Sequence, residues 1–369
     1  MSLSNNSDLT KERIFPLDLL KALSIVAVVS FHGTLVPQQS YVNLEPTLNI
    51  LFAPLRFCVP VFLTISFFLG EQSLQRQPEA THYDWLKKRL TRLAIPTCFW
   101  FSIAAVLVLI KEEFLGKPIT TTLQEICQLV LTGRIFAGAY YLLVILQLSL
   151  LLIYLHRYFY QWRNLLFVIL LQGFAFIAID ASLQGNFATQ FSDFLRLVQR
   201  PFIIYWFVYL ALGIYLYTNW QVLRQISTGV HTSVKIILLL LTSLAMIAEA
   251  SWLHHLTGRE LLPFEYAMLS CIISAGIWFL ALATVEEKQL PSRLLPMVRL
   301  LSKYSLGIFC LNGILVHIFV AFSSLILPDL TYNLPQILVI KILGTVLLLS
   351  VSLGMSIVLE KLGLGRCVC

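Results

Sequence analysis

Long apolar runs alternate with short polar breaks over nearly the whole chain, and ten of the runs approach the roughly 20 residues that a helix needs to cross a bilayer. They cover residues 15–36, 48–70, 93–110, 140–155, 165–183, 201–217, 234–256, 262–285, 304–327 and 335–359. The breaks carry helix-stopping residues, among them Gly116 with Pro118, Gly185 with Asn186, Gly258, Pro291, Pro328 and Pro335. The pattern predicts an all-α fold: a polytopic bundle of about ten transmembrane helices. A polar stretch at 1–13 and another at 361–369 flank one membrane domain over 14–360.

Composition makes lipid the solvent. Hydrophobic residues are 58% of the 369 and charged ones 12%, against about 25% charged in an average soluble domain. The net charge of +7 does not point to nucleic acid, because Lys and Arg fall between apolar runs and form no contiguous basic face. It points to topology. With the N-terminus in the cytoplasm, about 18 of the 26 basic residues lie on that side, including Arg76, Lys87, Lys88, Arg89, Arg92, Arg157, Arg163, Arg224, Lys288, Arg293 and Lys303. An even number of spans then returns the C-terminus to the cytoplasm. Apolar residues 15–36 contain Asp18, Lys21 and His32 and lead to no small-residue cleavage site, so they read as a retained first helix. Of the seven cysteines, Cys58, Cys98, Cys127, Cys271 and Cys310 lie in or beside apolar runs without metal-ligand spacing and read as small hydrophobes; Cys367 and Cys369 could chelate or be lipidated but read rather as a frayed tail, and no metal is expected.

An ionisable group in the hydrocarbon costs roughly 2.5 to 3.5 kcal/mol on insertion scales, which makes each one a functional candidate. The first run carries three. Lys21 and His32 stand eleven positions apart, almost three helical turns, so they share one stripe about 16 Å apart in height. Asp18 lies one turn below Lys21 and can pair with it; the two also fit a pair that snorkels at the cytoplasmic interface. His32 fits a proton carrier near neutral pH, or a hydrogen-bonded packing residue. Arg89 and Arg92, at i,i+3 beside Lys88, present two guanidinium forks that suit phosphate and equally suit orientation on anionic lipid. Glu249 is a carboxylate deep in the seventh run, open to a functional or a structural role. Tyr140, Tyr141 and Gln147 can line a cavity or anchor the interface. Asp180, Arg196 and Arg200 border the break at Gly185 and read as solvated surface groups.

Four segments bring a resemblance. Residues 16–32, with Lys21, ten residues and then His32, resemble the opening helix of the membrane-bound acyltransferase 3 family. Residues 59–66 resemble its second helix, and residues 88–96, with Arg89, Arg92 and Pro96, resemble its Arg-x-x-Arg segment followed by proline. Residues 304–312 are similar to a late helix of the family. Two positions depart from the pattern: Phe67 stands where glycine is usual and Asn312 where many members have histidine. The segments resemble most the ten-helix members that modify surface polysaccharides and carry no extra soluble domain.

The resemblance implies an O-acyltransferase of the bacterial inner membrane, moving an acyl group, commonly acetyl, from cytoplasmic acyl-coenzyme A to a hydroxyl of a surface glycan or lipid-linked sugar. It implies no bound cofactor, with acyl-CoA as donor substrate. On this reading His32 is the general base, Lys21 with Asp18 guides the donor or orients the site, and Arg89, Arg92 and Lys88 hold its phosphates. Glu249, Tyr141, Gln147 and Asn312 are candidate pocket residues. A transporter or flippase for a polar lipid-linked substrate also needs buried polar groups and about ten helices, but matching broken helices in the two halves are not evident.

Overall fold

Backbone in lipid has no water to bond, so an apolar run must satisfy its own N–H and C=O groups. In the computed structural model the described residues are 14–114, 118–185, 189–257, 264–326 and 330–369, and among them there are helices and turns but no strand. In chain order the helices are α1 (Phe15–His32), α2 (Glu45–Leu51), α3 (Cys58–Gln75), α4 (His82–Phe114), α5 (Ile119–Leu131), α6 (Tyr140–Leu155), α7 (Trp162–Leu183) and α8 (Thr189–Val198). Then follow α9 (Phe207–Thr218), α10 (Trp220–Gly229), α11 (Thr232–Leu256), α12 (Leu269–Leu282), α13 (Leu294–Lys303), α14 (Ser305–Ile326), α15 (Leu334–Leu359) and α16 (Gly365–Val368). Among the described residues, seven spans are long and apolar enough to cross a membrane: α1, Ala53–Gln75, most of α4, α7, α11, α14 and Leu334–Val368. The shorter apolar helices α6, α9 and α12 fall on the other three predicted runs.

The differences from the predicted runs have local causes. The first helix ends at His32 rather than at 36, where Gly33 meets α15. The second run breaks into α2, a 3₁₀ turn at Ala53–Phe57 and α3; Pro54 cannot donate a helical hydrogen bond. The third run begins eleven residues earlier than predicted, so Lys88, Arg89 and Arg92 sit on the first turns of α4, which continues through Pro96. Four helices of ten to thirteen residues, α5, α8, α10 and α13, have apolar residues on one face only. Their mixed composition hides them from a search for continuous apolar runs. Residues 262–263 and 327 of two predicted runs lie outside the described residues.

Burial separates centre from periphery. The hydrophobic windows of α1 and Ala53–Gln75 are 61% and 72% buried, against 22% for those of α4, α11 and Leu334–Val368, so α1 and α3 form the centre. Around α1 pack α3, α12, α13, α14 and α15. The α3–α9 contact answers the Phe67 departure. Phe67 is fully buried, and a Cβ at Gly213 of α9 would stand 2.6 Å from the Thr64 carbonyl oxygen and 2.8 Å from Phe67 Cβ. Close approach is kept by a glycine on the facing helix.

Two carboxylates act as braces. Glu71, fully buried, accepts from Tyr160 Oη at 2.7 Å and Gln75 Nε2 at 2.8 Å, with His156 Nδ1 at 3.4 Å; this ties α3 to the end of α6. Glu249 accepts from the Ser270 backbone N–H at 3.0 Å and from its hydroxyl, placing an anion at the N-terminus of α12, where the helix dipole favours it. The C-terminal residues are not frayed. Cys367 and Val368 are buried, and Trp100 Nε1 donates to the Cys367 carbonyl at 2.9 Å.

Candidate active site

Two cavities lie along α1, one at each end of the Lys21–His32 stripe. The larger, about 820 Å³, is lined by Lys21, Lys88, Arg89, Arg92, Tyr141 and Cys369, among others. Residues from α1 and α4 that are far apart in sequence thus share one chamber with four positive charges. Asp84 is the acidic side chain among its described lining. Lys88 and Arg92 are exposed to it, whereas Arg89 turns into the bundle. Arg89 Nε donates to Ser149 Oγ at 3.1 Å, and Nη2 donates to the Ser66 carbonyl and hydroxyl at 3.2 Å each. Its guanidinium also lies over the Trp85 and Phe67 rings, at 5.6 and 5.8 Å. The two forks therefore do not present alike: Arg92 is open, and Arg89 ties α4 to α3 and α6 while edging the chamber. Asp18, 9% exposed, accepts from Ser302 Oγ at 2.6 Å, joining α1 to α13 below Lys21.

The smaller cavity, about 30 Å³, holds His32 with Arg56, Tyr140, Arg200, Tyr266 and Phe309 on its walls. That is room for a water or two. Arg56 Nε and Nη2 bond Glu265 Oε2 at 3.2 and 3.1 Å, and Arg200 Nη2 bonds Glu265 Oε1 at 2.9 Å. Side-chain exposure is 2% for Arg56, 4% for Glu265 and 22% for Arg200. Arg200 is therefore not a solvated surface group. Among the described residues its Nε has no hydrogen-bond partner. Tyr140 and Tyr266 share a hydrogen bond of 2.8 Å, and Arg200 lies 5.1 Å over the Tyr140 ring. Lys341, 6% exposed on α15, donates to the Phe31 carbonyl at 2.8 Å and to Thr34 Oγ1 at 3.4 Å. It caps the end of α1 where the helix dipole is negative. Two arginines and one lysine against one carboxylate leave the surroundings of His32 with an excess of two positive charges.

Backbone contact fixes where His32 stands. A Cβ on Gly344 would lie 2.1 Å from the Gly33 carbonyl oxygen, and one on Gly33 would lie 2.6 Å from the Lys341 carbonyl oxygen. Only glycine lets α1 and α15 touch there.

Aromatic side chains separate the chambers. Tyr141 and Phe62 line the large one and Phe309 the small one, with the Tyr141 and Phe309 ring centres 5.1 Å apart. Asn312, three residues along α14 from Phe309, is fully buried, and neither of its side-chain polar atoms has a partner among the described residues. Gln147 lines a separate groove of about 560 Å³ with Leu150 and Phe202. The structure thus gathers Lys21, Lys88, Arg89, Arg92 and Tyr141 together, puts His32 in the adjoining chamber, and leaves Glu249 and Gln147 elsewhere. Sequence reasoning passed over Arg56, Glu265 and Lys341. All three carried a usable signal, a charge inside an apolar run; that Arg56 and Glu265, 209 positions apart, pair with each other is set only by the fold.

A helical bundle with seven membrane-length apolar spans and charges clustered along its central helix is a multi-pass membrane protein whose polar chemistry is internal. A family model described as an acyltransferase domain, that of the acyltransferase 3 membrane proteins, matches residues 15–360. The chain belongs to this family, and the protein is a membrane acyltransferase acting between an acyl donor and an acceptor. No curated protein and no solved structure matches the chain.

Proposed function

We propose that the protein is an O-acyltransferase of the bacterial inner membrane, with ten spans and both termini in the cytoplasm. It moves an acyl group, acetyl in the simplest case, from cytoplasmic acyl-CoA to a hydroxyl of a surface glycan or lipid-linked sugar. The observation that carries the reading is the pair of chambers on one helix: a cationic one at the Lys21 end and a histidine one about 16 Å further along. The positive-inside bias puts the Lys21 end in the cytoplasm, the side from which a phosphorylated donor comes. Lys88 and Arg92 bind the donor's phosphates, Lys21 steers it, and Arg89 holds the wall against which it lies. The pantetheine arm passes Tyr141 and brings the thioester toward His32.

In the direct form of the reaction the acceptor hydroxyl oxygen attacks the thioester carbonyl as His32 takes the hydroxyl proton. The tetrahedral intermediate collapses, the C–S bond breaks, and the departing thiolate takes the proton back to become the free thiol of coenzyme A. The excess positive charge of Arg56, Arg200 and Lys341 stabilises the oxyanion formed on the way, a contribution that low-dielectric surroundings enlarge. The test is to incubate purified protein with radiolabelled acyl-CoA and candidate glycans. Label reaching a glycan, and lost with Arg92→Ala at low donor but restored at high donor, is the expected result. Label that never leaves coenzyme A in the presence of every acceptor class contradicts it.

A further inference from the structure

Between α4, α5 and α14 runs a groove of about 460 Å³ that neither the donor chamber nor the His32 cavity accounts for. Leu107, Leu129 and Ile318 are among its apolar walls, and Lys111, Arg134 and His317 also line it. None of its described lining residues is acidic. Glu112, 5% exposed, bonds Lys111 at 3.5 Å and so takes up part of that charge; Arg134 and His317, both exposed, remain as donors to a ligand. An apolar trough with basic groups beside it, on a protein whose solvent is lipid, matches an amphiphile with an anionic head.

Its size and position narrow the ligand. The volume is that of a pocket for one small molecule, enough for one hydrocarbon chain rather than the paired chains of a bilayer phospholipid. The groove also abuts the histidine chamber. Phe136 lines the groove and Gly138, two residues on, lines the His32 cavity. That turn is pinned to α14 by the Ala137 N–H to Gly313 carbonyl bond of 3.3 Å, and His317 stands one turn beyond Gly313 on the same helix.

We propose that this groove holds a single-chain lipid phosphate, the carrier end of a lipid-linked sugar, which reaches His32 sideways from the bilayer. The tail lies along Leu107, Leu129 and Ile318, and Arg134 and His317 hold the phosphate. The identification of this ligand as the acceptor's carrier rests on the acyl-transfer reading; the binding itself does not.

The experiment measures equilibrium binding of tritiated farnesyl phosphate to the full-length protein in phosphatidylcholine nanodiscs, with no acyl donor present. Saturable binding is expected, weakened about five-fold in Arg134→Ala, which removes one cation, and further in Arg134→Ala/His317→Ala, which also removes a hydrogen-bond donor to the phosphate. Leu107→Trp, which fills the groove from an exposed position, weakens it comparably. Farnesol and inorganic phosphate compete at least ten-fold less well than unlabelled farnesyl phosphate. Absence of saturable binding, equal binding by the variants, or displacement by dioleoylphosphatidylglycerol at equal concentration overturns the proposal. Binding as described in a protein that transfers no acyl group supports the groove and counts against the reaction. Transfer to lipid-free glycan without farnesyl phosphate binding does the reverse.

Discussion

Arg89 and Arg92 show how two like residues one turn apart divide their work. Arg89 spends its donors on Ser149 and Ser66, and hydrogen bonds from charged groups contribute about 1.5–3 kcal/mol each. Arg89→Ala should therefore lower stability by about 2–4 kcal/mol, read as a drop in thermal midpoint in detergent. Arg92→Ala, at an exposed site, should stay within about 0.5 kcal/mol of wild type and raise the donor KM several-fold. Equal stability of the two variants would show that the inward bonds of Arg89 are not made. Glu265 makes a sharper case. Its removal strands Arg56 and Arg200, and breaking a buried ion pair from one side costs about 3–5 kcal/mol; Glu265→Ala should melt well below wild type, and adding Arg56→Ala should recover part of the loss. At this scale the sequence was informative about single charges and blind to pairs. Lys21 and His32 stood out because a charge in an apolar run is costly, and the basic triplet because Arg89 and Arg92 share a face at i,i+3, whereas Arg200 looked solvated because its partner lies 65 positions away.

Helices are held in register by contacts that periodicity does not reveal. The apolar runs located α6, α11, α14 and α15 to within two residues, since continuous hydrophobicity is a strong signal. They missed α5, α8, α10 and α13, whose polar faces break the run. Nor does any pattern in α1 announce that Gly33 and Gly344 will touch. Gly344→Ala forces a Cβ against the Gly33 carbonyl and must part α1 from α15, at a cost of about 1–3 kcal/mol for overpacking. The loss of acyl transfer should exceed the loss of stability, because His32 is the residue displaced. A variant with wild-type turnover would mean that the α1–α15 contact does not set the position of His32.

Taken whole, the molecule is a bundle with, at its centre, the least hydrophobic of the seven membrane-length spans among the described residues. Asp18, Lys21 and His32 all lie on α1, and the neighbours of α1 supply Ser302, Phe309 and Lys341. Charge on the periphery would meet lipid; charge at the centre meets other side chains, which is how a membrane protein keeps ionisable groups. The ten-span, both-ends-inside topology is tested by fusing a cytoplasm-dependent and a periplasm-dependent reporter after residue 369 and within 184–188. The cytoplasmic reporter should be active at the C-terminus and the periplasmic one at the internal site; the reverse pattern contradicts the orientation from which the donor side follows.

The central claim is that His32 takes the proton from the acceptor. Its most direct test is the rate of label transfer from acyl-CoA to acceptor by His32→Gln in nanodiscs, beside wild type with its thermal midpoint measured in the same preparation. General-base catalysis contributes about 10²- to 10⁴-fold, so transfer should fall at least 100-fold while the midpoint stays close to wild type. A His32→Gln protein that transfers acyl groups within a few-fold of the wild-type rate would contradict the account.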